Sequence, residues 1–121
     1  MNPTLARQLT HTFPRLFDHA DGLYPFRCGD GWYHLICDLA TQLVGLEPPE
    51  ADLRMTQVKE KFGGLRFYTR AQLSAVSQRL IEHAEARSFT ICEACGAPGA
   101  LQHRGGWYRT RCAHHATLDD V

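Results

Sequence analysis

The sequence predicts an α+β fold: a helical N-terminal part with a central buried helix, then a β-hairpin, another helix, and a C-terminal hairpin stapled by zinc. Three observations carry this. Residues 31–46 have apolar residues on nearly every side of a helix, two Gly-Gly pairs sit between alternating segments, and four Cys and His residues recur at metal-ligand spacing.

Residues 4–20 predict a helix broken near Pro14, with Leu5 and Leu9 on one face and Thr12 as cap for the turn that Pro14 begins. The Gly-, Pro- and Asp-rich stretch 21–30 predicts a loop. In 31–46, Trp32, Leu35, Ile36, Leu39 and Leu43 follow helical periodicity, and Asp30 is the expected N-cap. Tyr33, Cys37, Ala40 and Val44 make the opposite side apolar too, leaving only His34, Asp38, Thr41 and Gln42 polar; a helix of this kind is buried. Gly45 and the Pro48-Pro49 pair end it.

Residues 54–70 predict a hairpin turning on Gly63-Gly64. Phe62 then opposes Leu65, one face carries Val58, Phe62, Leu65 and Phe67, and the other carries Lys59, Lys61, Arg66, Tyr68 and Arg70. Residues 71–87 predict a helix with Leu73, Val76, Leu80, Ile81 and Ala84 as its apolar stripe. Length gives one domain over 1–121, with residues 1–88 as the α+β core and 89–121 as a zinc module packed on it.

The module reads Cys92-Glu-Ala-Cys95-Gly96, then fifteen residues, then Cys112-Ala-His-His115. Thiolates two residues apart on a tight turn reach one tetrahedral ion, and a hairpin, 101–104 and 107–111 around Gly105-Gly106, brings the second pair back to the first. Cys92, Cys95, Cys112 and His115 are therefore the expected ligands of one structural Zn2+, with His114 as the alternative fourth ligand. The arrangement looks like a treble clef or zinc ribbon. Glu93 lies between the cysteines and not in a His-x-Glu element, which excludes a zinc-deaminase pattern.

The blocks GDGWYHLI, VKEKFGGLRFY and CEACGAPGALQHRGGWYRTRC resemble the landmarks of a family of small uncharacterised proteins of bacteria and their phages, over residues 25–115. The resemblance implies the same zinc ligands and a bacterial or phage setting, and it implies no activity.

Five cysteines, three of them at ligand spacing, argue against a disulfide framework. The N-terminus has no basic-then-apolar leader and no apolar run is long enough for a membrane span, so a cytoplasmic location is expected. The net charge of zero conceals an asymmetry: residues 1–53 carry −4, residues 54–115 carry +6, and Asp119 and Asp120 add −2. Uneven charge of this kind marks a basic working face.

That face is expected on the hairpins. Lys59, Lys61, Arg66 and Tyr68 emerge together on the first, and Arg104, Trp107, Arg109 and Arg111 on the second. Cations among aromatics suit a protein partner, where Trp, Tyr and Arg are typical anchors, or nucleic acid; zero net charge favours the protein. No catalytic set assembles. Cys28 with His34 lacks a third orienting group, and His34 with Asp38 reads as a surface pair. The expected function is non-enzymatic binding by an adaptor, inhibitor or immunity-type protein, with nucleic-acid binding as the alternative and a small enzyme using Cys28 and His34 as the third.

Overall fold

The computed structural model describes residues 1–17 and 26–118. The chain is α+β. Helix α1 (Pro3–Thr12) starts with Pro3 in the first turn and Asn2 as cap, its side chain accepting from the Leu5 amide at 2.9 Å. Phe13, not Thr12, separates α1 from α2 (Pro14–Phe17): its amide donates to Leu9 and its carbonyl accepts from Leu16 and Phe17. Burial of the Phe13 ring holds this junction in place, so no hydroxyl cap is used. The helix expected over 18–20 and the loop expected over 21–25 lie outside the described residues.

Residues 26–27 were expected in a loop and form strand β1 (Phe26–Arg27), parallel to part of β2 (Met55–Lys61). Phe26 is buried with its ring 4.9 Å from that of Phe17, which draws the backbone onto the sheet. A 3-10 turn, Asp30–Trp32, leads into α3 (Tyr33–Leu46). Asp30 does not cap it. Its carboxylate accepts from the Asn2 amide and side chain at 2.7 and 3.0 Å; Gly29 holds the cap position of the 3-10 turn and Trp32 that of α3. Trp32, Leu35, Ile36, Leu39, Ala40 and Leu43 are all buried, which makes α3 the central helix of the core.

Strand β2 pairs antiparallel with β3 (Gly64–Thr69) to give a sheet in the order β1-β2-β3. The turn falls one residue earlier than expected. Lys61 opposes Gly64, so Phe62 and Gly63 are the two loop residues, with φ of 54° and 87°. Phe62 therefore stands at the tip, 64% exposed, and not on the apolar face. Gly64 is a glycine for a different reason, because a Cβ there would run into the Phe89 ring. The slip moves each pairing by an even step, so the faces keep their members: Val58, Leu65 and Phe67 are buried, and Lys59, Lys61, Arg66 and Tyr68 share the opposite side.

Helix α4 (Ala75–Ser88) starts later than expected because Ser74 caps it, accepting from the Ser77 amide at 3.2 Å. Its inward face is Ser77, Ile81, Ala84 and Ser88; Leu73 is buried ahead of the helix, and Val76 is exposed. The buried serines are partnered. Ser77 donates to Glu47 at 2.7 Å, and Ser88 accepts from the Leu65 amide at 2.8 Å. Glu85 accepts from the Phe67 amide at 2.9 Å, so α4 side chains satisfy the free edge of β3. No helix among the described residues is long and apolar enough to cross a membrane.

Ser88→Ala leaves the buried Leu65 amide without its partner. It is expected to lower unfolding free energy in urea by about 1–3 kcal/mol. An unchanged midpoint and slope would show that the edge of β3 does not need the helix.

Candidate metal centre

The module begins where α4 ends. The Gly99 amide donates to Thr90 at 2.9 Å and Ile91 bridges Pro98, so the chain doubles back around residues 92–96. Gly96, at φ 85°, closes that turn: its amide donates to the Cys92 carbonyl and the Cys92 amide donates to Ala97, both at 2.8 Å. Strands β4 (Ala100–Arg104) and β5 (Trp107–Arg111) follow, joined as expected by Gly105 and Gly106 at φ 56° and 84° with Arg104 opposite Trp107. Cys112 follows directly on β5, and His115 lies in the first turn of α5 (Ala113–Leu118).

The sulfur atoms of Cys92, Cys95 and Cys112 and a ring nitrogen of His115 all lie within 4.8 Å of one another. Cys95 and Cys112 sulfurs are 3.8 Å apart, and His115 Nδ1 is 3.7 Å from Cys92 Sγ and 3.2 Å from Cys112 Sγ. A tetrahedral ion bound at ~2.3 Å by sulfur separates its ligands by about 3.8 Å. All five cysteines are free thiols. These four residues form a potential metal site. His115 and not His114 completes it; His114 is exposed, with its ring edge-on to that of His115. Hydrogen bonds from the His115 amide, and then its ring, pull the Cys112 thiol down to about 6, which favours the thiolate a metal takes.

The backbone around Cys92 is docked on the turn ahead of α3. The Gly31 amide donates to the Glu93 carbonyl at 2.7 Å, the Gly29 amide to the Glu93 carboxylate at 2.8 Å, and the Trp32 indole to the Ile91 carbonyl at 2.9 Å. A Cβ on Gly31 would collide with the Cys92 carbonyl oxygen. Burial raises the Glu93 carboxyl above its ordinary range, against the hydrogen bond from Gly29. A second tie runs through Thr110, fully buried, whose hydroxyl donates to the Gly63 carbonyl at 2.7 Å and whose own carbonyl accepts from the Glu93 amide at 3.0 Å. Sequence reasoning missed Gly31, Glu93 and Thr110 as the seam; the Gly-Asp-Gly-Trp spacing ahead of α3 was the available signal.

The basic residues fall into two groups. Lys59, Lys61, Arg66 and Tyr68 share the outer side of β2 and β3, with Lys61 and Tyr68 exposed and Lys59 and Arg66 half-buried. Arg104, Trp107, Arg109 and Arg111 share one side of the second hairpin. Trp107 is 77% exposed, whereas Arg104 and the half-buried Arg109 both donate to the Ala116 carbonyl at 3.3 Å, near the C-terminal end of α5. Those two arginines thus hold the helix that carries His115.

Cys28 lies in the core cluster, while His34 and Asp38 are exposed. Burial, first among its causes, pushes the Cys28 thiol up to about 12, the reverse of what activates a nucleophile. Iodoacetamide at pH 8 is expected to leave Cys28 unlabelled in the folded protein and to label it once urea unfolds the chain, as read by peptide mass spectrometry. Native labelling at the rate of a free cysteine would put Cys28 back among the reactive groups.

Comparison with known proteins finds no matching family model, no matching curated protein and no matching solved structure.

Proposed function

We propose that the chain is a non-enzymatic binding protein, stapled by one structural Zn2+, that works through a protein partner in the cytoplasm of a bacterium or phage-infected cell. Adaptor, inhibitor and immunity-type proteins have this character. The single observation that carries it is the closed Cys92, Cys95, Cys112 and His115 set. Three thiolates and one imidazole suit zinc, and four protein ligands leave no position for the water or substrate that a catalytic zinc holds. When bound, the ion supplies a fixed cross-link between residues 92–96 and the start of α5. The chain's own residues then present the hairpin surfaces, on which Lys61, Tyr68 and Trp107 are exposed.

Cations beside aromatics favour one second function, nucleic-acid binding through Lys59, Lys61, Arg66, Tyr68, Arg104, Trp107 and Arg109. Binding to a labelled DNA that weakens steeply with added salt would support it over the protein partner.

Protein purified without added metal is expected to contain one zinc per chain by elemental analysis, and Cys95→Ser to lose the zinc and the folded module together. Iron in place of zinc would keep the site and reject the metal assigned to it. Metal-free folded protein whose Cys92, Cys95 and Cys112 thiols all react under native conditions would reject the site itself.

A further inference from the structure

Three neighbouring features of the hairpins cost the fold stability. Lys59 directly opposes Arg66 on the outer side of β2 and β3. Like charges in that position repel. The ion pair found among the described residues is Arg54 with Asp52, so no described carboxylate relieves them. Next, Phe62 takes φ 54° in the turn, a conformation that glycine or asparagine adopts at lower cost. Finally, its ring is 64% exposed, and it stands in an apolar group that spans both hairpins: Tyr108 is edge-on to it at 6.2 Å, and Leu101, 46% exposed, packs against Gly63. Lys61 joins the charged and apolar parts, its ammonium 5.7 Å above the Phe62 ring.

Strain, repulsion and exposed apolar surface at one place are features that a fold retains for function. We propose that Phe62 is the anchor of a docking site for a protein partner, entering an apolar pocket whose rim carries carboxylates for Lys59, Lys61 and Arg66. It rests on the protein-binding function proposed above and names the surface and the partner's chemistry. Charge selects the partner: the one acid on this hairpin, Glu60, is engaged by the Gly63 amide at 2.6 Å, leaving its outer side cationic. Ring geometry favours a protein over a nucleic acid. Base stacking needs open ring faces. Here His103 covers a face of Tyr108 at 4.2 Å, and Lys61 covers a face of Phe62.

The test places the photo-crosslinking residue p-benzoylphenylalanine at Phe62, His34 or Val76, all exposed, in the full chain within its native cells. The protein joined at position 62 is identified by mass spectrometry, purified and titrated against the unmodified chain, Phe62→Gly and Lys59→Glu. Both substitutions remove a cost to the fold, so thermal stability is expected to hold or rise while affinity falls roughly tenfold or more. A gain in stability with a loss of binding is not what a structural role produces. Affinity within about twofold of the unmodified chain for both variants would overturn the proposal. So would an adduct at position 62 that nuclease removes. Protein adducts at His34 or Val76 but not at Phe62 would overturn this surface and leave the protein-binding function standing. No protein adduct at any of the three positions would overturn both.

Discussion

Backbone meets backbone where the turn before α3 lies against the segment that holds Cys92, and the contact depends on glycine. Gly31 approaches so closely that any side chain would strike the Cys92 carbonyl, and its amide makes a 2.7 Å hydrogen bond to Glu93 in the space a Cβ would need. Gly29 and Trp32 add bonds to Glu93 and Ile91 on either side. One side of this seam is the start of the central core helix, and the other is one residue from Cys92 of the potential metal site. Order in the core and order in the metal centre are thereby linked through a few hydrogen bonds that have no alternative partners once buried.

The second hairpin needs that link. Of its strands only Thr110 is fully buried, while Leu101, Trp107 and Tyr108 are exposed. An isolated two-stranded hairpin with so little burial is marginal in water. Its order comes from cross-links: the Thr110 bond to Gly63, the two arginines on the Ala116 carbonyl, and the potential metal site that gathers Cys92, Cys95, Cys112 and His115. Zinc bound at the proposed site would add the ~10–16 kcal/mol typical of structural zinc in small modules, enough to supply what burial does not. A surface held this way can keep aromatic and charged groups in water, where a packed core would have consumed them.

The features legible from sequence were those with a local signature. Ligand spacing located the metal residues, and helical periodicity found the buried face of α3. Fold class followed from these two signals together with the two Gly-Gly pairs that marked the hairpins. What escaped depends on tertiary contact. Phe62-Gly63 and Gly63-Gly64 both satisfy a tight turn, and the choice was made by the Phe89 ring, which needs Gly64 in the strand. Val76 looked like core and Ser77 did not, but a serine hydroxyl paired with Glu47 can be buried, and the helix rotated accordingly. Strand β1 was unreadable because two residues carry no periodicity. The seam between Gly31 and Glu93 joins backbone atoms more than sixty residues apart, and side-chain patterns do not encode such bonds.

Hydrogen exchange at the Gly31 amide and the Trp32 indole, followed by NMR with metal bound and after chelation, tests the coupling between metal and core most directly. The Gly31 amide bonds to Glu93, between Cys92 and Cys95, and the Trp32 indole to Ile91, just ahead of Cys92. The account predicts slow exchange with metal bound and a large acceleration when it is removed, while amides in the middle of α3 stay protected. Unchanged protection of both protons in metal-free protein would contradict it, because the seam would then hold without the ion.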